Sequence, residues 1–537
     1  MHSKSPGPAA CAALAALFTF AAAADVPHPV PPDRKAYEKA INTHDPDQKI
    51  AALNEFLKQY PKSHRADDAW DAILNTLCEK MPGREAEIRD TAKRYIHAEP
   101  ASEEAYVDQD VADILADHKV MPQDAEQFAQ KALKTTSEAQ FAKMVTEGRK
   151  KAGMKELSPE EMHRDYQRNQ AGFMATLGHV YVVEGKTAEG GRLLEEALSN
   201  NGNLTVAAET LGMLAVREGQ NDKALPLLVQ ARLTGRVKPE SEQALEKLYR
   251  DGHSGSLDGF QKYLDTEYEK LSPDPAPPAR YEPKPGQNRV VLAELFTGAG
   301  CPPCAGADTA MDQIVERFPR SEVAVLMYHV HVPEPDPMAN TGNVNRSHEY
   351  DIPGTPTLEV DGQRVMSGGS SRKDFKEAYD TYDAAIEKAL AQPEQAAIEL
   401  HATREGAVIH VNAAVDQVHA KDVRLYVALI EKKIRYSGQN GIRFHPMAVR
   451  SLAGDDGSGF AVAPNQRTTV EWSFDTAKLS SELAKYLDDY EKYNDRFGPT
   501  EFIEKKATID PSDVAVVAFV QDPATMHVLQ AAYADPQ

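Results

Sequence analysis

Two cysteines three positions apart, Cys301 and Cys304, stand in the stretch A-E-L-F-T-G-A-G-C-P-P-C-A-G-A-D at positions 293–308. A thiol pair at this spacing supports three chemistries: exchange with another disulfide, half of a tetrahedral metal site, or a static cross-link. The apolar run Val290–Leu292 reads as a strand, glycines turn the chain, and a helical pattern follows. Cys301 is therefore expected exposed at a helix N-terminus. There, unpaired N–H groups and the helix dipole favour the thiolate, the form that attacks a disulfide. Cys304, one turn later, would resolve a mixed disulfide from a deeper position. Pro302 and Pro303 fall in the first turn, where a missing N–H costs little.

The other chemistry-bearing residues are sparser. The stretch Y-H-V-H-V at 328–332 places His329 and His331 on one face of a strand, because side chains alternate. With the two thiolates they would make a zinc or copper site, the rival reading. A strand-end histidine is more often structural, so no metal ligand and no cofactor is assigned. Cys78, on the apolar stripe of I-L-N-T-L-C, reads as a buried, inert thiol. His445 and Arg450, in F-H-P-M-A-V-R, are read as structural.

Bulk properties narrow the partners. The chain has 537 residues, enough for about three or four domains. Its 60 Lys and Arg against 82 Asp and Glu leave a net charge of −22. That is the wrong sign for collecting phosphates or anionic lipid, so nucleic acid is not an expected partner. Residues 9–24 are apolar apart from Thr19 and end in four alanines, a short h-region with a small-residue cleavage site. Residues 1–24 are thus expected to be a cleavable export signal, and the protein periplasmic or secreted, without stable membrane insertion. Export removes Cys11 and leaves three thiols, too few for a disulfide framework.

The elements that must hold the pair follow from periodicity. Residues 25–271 are expected to form a helical repeat domain, an α-solenoid. L-G-H-V-Y-V-V-E-G-K at 177–186 is echoed 34 positions later by L-G-M-L-A-V-R-E-G-Q at 211–220. Gly185/Gly219, Leu194/Leu228 and Ala197/Ala231 keep that period, and this part resembles the tetratricopeptide-repeat family. Small residues at Gly178/Gly212 and Gly190/Ala224 would let paired helices approach, with Leu194/Leu228 filling the gap. Residues 272–287, rich in proline, are expected to be a stiff linker. Residues 288–392 then alternate strand and helix, and 393–537 read as an antiparallel β-sandwich with one charged helix inserted at 476–493.

Strand, glycine turn, C-x-x-C at a helix start, and a later hairpin entered through I-P-G-T-P-T-L-E-V-D-G make residues 288–392 resemble the thioredoxin superfamily. The matching residues are Glu294, Phe296, Thr297, Gly300, Cys301, Cys304, Thr355 and Pro356. The resemblance implies an α/β fold, a cis Pro356 against the cysteines, and a Thr355 backbone that pairs with the substrate chain. Two positions depart from the pattern: Ala299-Gly300 replaces the usual tryptophan, and Leu295 stands where a buried acid is familiar. Glu294, one residue earlier, is either the proton acceptor for Cys304 or a plain strand carboxylate. The expected function is an exported thiol–disulfide oxidoreductase acting on protein clients, with a redox partner to recycle Cys301–Cys304 and repeats that bind clients. The alternatives are a non-catalytic interaction scaffold with a structural disulfide, and a Cys/His metal-handling protein.

Overall fold

The computed structural model describes residues 31–100, 102–151, 154–284, 286–454 and 457–537. The expected export signal therefore lies outside the described residues. The chain divides into two compact units, Met1–Leu271 with Asp489–Glu501, and Ser272–Asp488 with Phe502–Gln537.

The first unit is an array of helices: α1 Pro32–Ile41, α2 Pro46–Gln59, α3 Ala66–Lys80, α4 Glu85–Ala98, α5 Glu104–Asp117, α6 Pro122–Thr135 and α7 Glu138–Lys151. It continues with α8 Pro159–Val183, α9 Thr187–Asn200, α10 Thr205–Arg217, α11 Asn221–Thr234, α12 Pro239–Gly252 and α13 Phe260–Leu271. Most consecutive helices pack as hairpins, most extensively α5/α6, α8/α9 and α10/α11. Local chemistry sets the ends: Ser158 and Glu161 form a reciprocal capping box on α8. Gly185 and Gly219 end α8 and α10 with φ of +87° and +71°, a left-handed conformation that glycine adopts without a Cβ penalty. The 34-residue period thus marks the same turn twice.

Packing explains the small residues. A Cβ on Gly178 would lie 2.7 Å from Leu194 Cγ, and one on Gly212 would lie 2.8 Å from Leu228 Cδ2. These positions must stay small for a helix pair to close, and the array is tetratricopeptide-like. The segment 489–501, expected in the C-terminal domain, belongs to this unit. Tyr37 on α1 donates to the Arg496 carbonyl at 2.7 Å, and Asp495 pairs with Arg34.

The second unit is built on one mixed sheet. Its strands are β1 Val291–Thr297, β2 Val323–His329, β3 Thr357–Val360, β4 Gln363–Ser367, β7 Arg424–Arg435, β8 Phe444–Leu452, β9 Phe460–Ala461, β11 Val514–Gln521 and β12 Val528–Ala534. The order is β12-β11-β7-β8-β2-β1-β3-β4, with β9 on β7. Strands β1 and β2 are parallel, β1 and β3 antiparallel. Helices α14 Cys304–Arg317, α15 Thr341–Glu349 and α16 Lys376–Leu390 also belong to this unit. The β3–β4 hairpin turns on Asp361 and Gly362, both with positive φ, the two-residue turn that D-G announces.

A boundary at 392/393 was expected to separate an α/β domain from a sandwich. Instead β8 lies beside β2 in parallel, with Met327 opposite Ala448, and the sheet runs through both halves. The reason is the edge of β2. Left unpaired, it would expose a row of backbone donors and acceptors beside a fully buried strand. A second, three-stranded sheet, β10-β6-β5, comprises β5 Ala397–Glu405, β6 Val408–Asp416 and β10 Thr468–Asp475, and it packs on β11 and β12. The last helix, α17 Thr476–Lys492, follows β10 directly. The proline-rich segment is no free spacer. Tyr281 packs at a tilt against Phe318 with ring centroids 5.0 Å apart, and Arg317 donates to the Ala279 carbonyl at 2.9 Å. Among the described residues no helix is long and apolar enough to cross a membrane.

Candidate functional site

Strand β1 delivers the chain to the site. After Thr297 the backbone turns through Gly298-Ala299-Gly300, where a Cβ on Gly298 would lie 2.5 Å from the Val332 carbonyl oxygen. Cys301 N–H donates to the Gly298 carbonyl at 3.0 Å, and Cys304 N–H to the Cys301 carbonyl at 3.0 Å. Helix α14 begins at Cys304 with Pro303 as its N-cap, so Cys301 occupies the turn before the helix rather than its first turn.

Cys301 and Cys304 are joined as a disulfide. Cys301 Sγ lies 3.6 Å from the carbonyl oxygen of Thr355, and the Thr355–Pro356 peptide is cis. The Thr355 hydroxyl donates to the Val332 carbonyl at 3.1 Å. Three of the expected residues and the backbone of a fourth therefore meet at one place. The expected exposure of Cys301 does not hold: its residual accessibility is 1%, and that of Cys304 is 0%. Two segments crowd the turn that carries Cys301. A Cβ on Gly300 would lie 2.8 Å from Glu334 Cβ and 3.2 Å from Gln439 Oε1.

Glu294 does not join this group. Thr297 Oγ1 donates to Asp308 Oδ1 on α14 at 2.6 Å, so Thr297 faces α14. Strand alternation turns Glu294 and Phe296 to the opposite face. There Arg346 on α15 donates to Glu294 Oε1 from Nε and Nη2, both at 3.0 Å. Tyr328 and Tyr350 donate to the same carboxylate at 3.0 and 2.5 Å. Both Glu294 and Arg346 are buried, so this is a structural ion pair under the sheet. A proton-relay role for Glu294 toward Cys304 is ruled out by the face it occupies.

The carboxylate on the cysteine side is Asp308, which no motif in the sequence marks. It stands four residues after Cys304 on α14, the spacing at which helix side chains neighbour each other. Its one signal was an acid in the core-facing row Cys304, Asp308, Met311. Burial pushes the Asp308 carboxyl up to about 7, against the lowering hydrogen bond from Thr297. Burial also raises Asp312 to about 7, with the Asp308 charge adding to it.

Beside it lies a second buried network. Asp336 accepts from Ala299 N–H at 2.6 Å, from His329 Nδ1 at 2.9 Å and from Met338 N–H at 2.8 Å. Burial alone would raise its pKa, but the His329 ring and these donors more than offset that and hold it low. His331 Nδ1 accepts from Asp336 N–H at 3.0 Å, and its Nε2 meets Tyr486 Oη at 2.9 Å. The His445 ring sits 5.1 Å from that of His329, and burial, then His329, depresses its pKa to about 3. His329 and His331 thus both hold Asp336 in the 333–338 loop. Among the described residues no three Cys, His, Asp or Glu side chains converge as a metal site. Cys78 is buried, and burial pushes its thiol up to about 12.

No family model matches the chain, and no curated protein matches it. Solved structures do. HBP35 of Porphyromonas gingivalis superposes with a TM-score of 0.35 at 17% identity, covering 47% of this chain and 77% of that one. A chain from the functional characterization of Pseudomonas aeruginosa pilF gives a TM-score of 0.26 at 17% identity, covering 45% of this chain and 93% of that one. Superpositions this loose carry no functional argument, and the residues of the site must carry it.

Proposed function

We propose that this protein is an exported thiol–disulfide oxidoreductase with a thioredoxin-like catalytic unit, acting on protein clients. The observation that carries the reading is the Cys301–Cys304 disulfide, with Cys301 Sγ 3.6 Å from the Thr355 carbonyl beside Pro356. In the reducing direction the Cys301 thiolate attacks a client disulfide, forming a mixed disulfide and releasing one client thiolate. The Cys304 thiolate then attacks Cys301 Sγ. That step releases the second client thiolate and closes the Cys301–Cys304 disulfide, and two electrons have passed to the client. Asp308, in place of Glu294, receives the proton that Cys304 gives up. Thr355 offers its backbone to the client chain, a redox partner restores the dithiol, and the tetratricopeptide-like array recruits clients. Export follows from the apolar N-terminus and its alanine-rich end.

Turnover tests the reading. With dithiothreitol as electron source, the full chain should reduce a disulfide-linked model peptide, and Cys301→Ser or Cys304→Ser should abolish the excess over the uncatalysed rate. A wild-type rate equal to the uncatalysed one contradicts it. The scaffold alternative keeps one specific support: both sulfurs are buried. Under that reading either cysteine substitution lowers stability and changes no rate.

A further inference from the structure

A disulfide with 1% and 0% residual accessibility cannot meet a client while it stays covered. The tip of the β7–β8 hairpin packs against the backbone just before Cys301. Tyr436 N–H donates to the Arg443 carbonyl at 2.9 Å and Gly438 N–H to the Ile442 carbonyl at 2.8 Å, forming a short stem. The tip is seated on the turn that carries Cys301. Asn440 N–H donates to the Ala299 carbonyl at 2.9 Å. The Asn440 side-chain amide reaches the Gly298 carbonyl and Asp308 Oδ2, each at 3.4 Å. A Cβ on Gly438 would lie 2.7 Å from the Ala299 carbonyl oxygen, and Gln439 Oε1 stands over Gly300. Asn440 is itself buried although it sits in a loop.

The other walls are built differently. On the far side, Ser370 N–H donates to the Pro303 carbonyl and Gly306 N–H to the Ser370 carbonyl, at 3.0 and 2.9 Å. That wall is tied into α14 and cannot leave without it. Asn440 ties the hairpin tip to the turn through its backbone N–H and the two long bonds of its side-chain amide. The tip contains Gly441 with φ +77° and Gly438, which give its backbone more conformational freedom than other residues would.

We propose that residues 437–442 form a lid over the Cys301–Cys304 disulfide, with Asn440 as its latch, and that opening this lid limits access to the sulfurs. The lid rests on the oxidoreductase reading for its purpose, but its test does not. Dithiothreitol reduces the disulfide in the full chain by two exchanges: the Cys301–Cys304 bond breaks, the reagent closes to its own disulfide, and two protons end on the protein sulfurs. The rate is read by thiol labelling in wild type, in Asn440→Ala, and in a variant whose residues 437–442 are replaced by Asn-Gly. Acceleration of about tenfold in either variant, the weight of one ordinary hydrogen bond, is expected. Rates within about twofold of wild type in both variants would overturn the lid. Should the variants accelerate while the wild type turns over no peptide, the lid stands and the oxidoreductase reading falls.

Discussion

Thr297 Oγ1 donates to Asp308 Oδ1 at 2.6 Å, and that bond fixes which carboxylate shares a face of the sheet with the cysteines. The polar core is thereby split by β1. Glu294 and Arg346 lie on one side, and Asp308 with the disulfide-bearing helix lies on the other.

Asp308→Asn should change how stability depends on pH. The wild-type carboxyl sits at about 7 when folded against about 3.9 unfolded, so the native state holds its proton more tightly. Stability is then fully present below about pH 4, falls as pH rises, and is lost by about pH 7, by at most about 4 kcal/mol. The groups facing it are Thr297, His329, Asp336 and Asn440. Chemical denaturation at several pH values should show the variant gaining on the wild type from pH 4 to 7. A constant gap would reject the raised carboxyl.

Arg346→Met should cost about 3–5 kcal/mol, because Glu294 would be left buried without its partner. Arg346 also lies 4.5 Å over the Tyr350 ring and 5.2 Å over that of Phe519. Adding Glu294→Leu should recover part of the loss in urea titrations. No recovery would mean that the packing of Arg346, not its charge, matters.

Neighbouring glycines on α9 should respond with opposite signs. A Cβ on Gly190 would lie 2.6 Å from the Gly178 carbonyl oxygen, whereas one on Gly191 meets nothing within 4 Å. Gly190→Ala should destabilise by about 1–3 kcal/mol. Gly191→Ala should stabilise by about 0.5–1 kcal/mol through helix propensity. Thermal melts of the two variants decide it, and equal shifts would contradict the close helix approach.

Much of this architecture was legible from spacing. Leu194 and Leu228, Gly185 and Gly219 repeat because each helical hairpin solves the same packing problem. Asp361-Gly362 announces a hairpin because both residues need positive φ. The shared sheet was not legible. Residues 323–329 read as an apolar strand, but F-H-P-M-A-V-R at 444–450 shows no such pattern, and nothing local states that β8 will pair with β2 across more than a hundred residues. Nor does S-G-Q-N-G-I at 437–442, plain turn composition, announce that Asn440 will bond the Ala299 carbonyl just before Cys301. The two readings of Glu294 separate only through the face of β1 that it occupies, which Arg346 on the far side fixes.

Labelling should find one silent thiol. Cys78 is buried with its pKa pushed up to about 12, so little thiolate forms at pH 8. Iodoacetamide should leave Cys78 unmodified in the native chain and alkylate it in guanidinium, as read by peptide mass. Prompt native labelling would contradict the buried assignment.

The sharpest single measurement is capture of a client by a chain whose second sulfur is missing. Cys304→Ser should accumulate a mixed disulfide between Cys301 and a disulfide-bonded peptide, seen as a mass increase that dithiothreitol reverses, while Cys301→Ser should form none. Equal absence of adduct in both variants, with both folded, would contradict the proposed exchange chemistry.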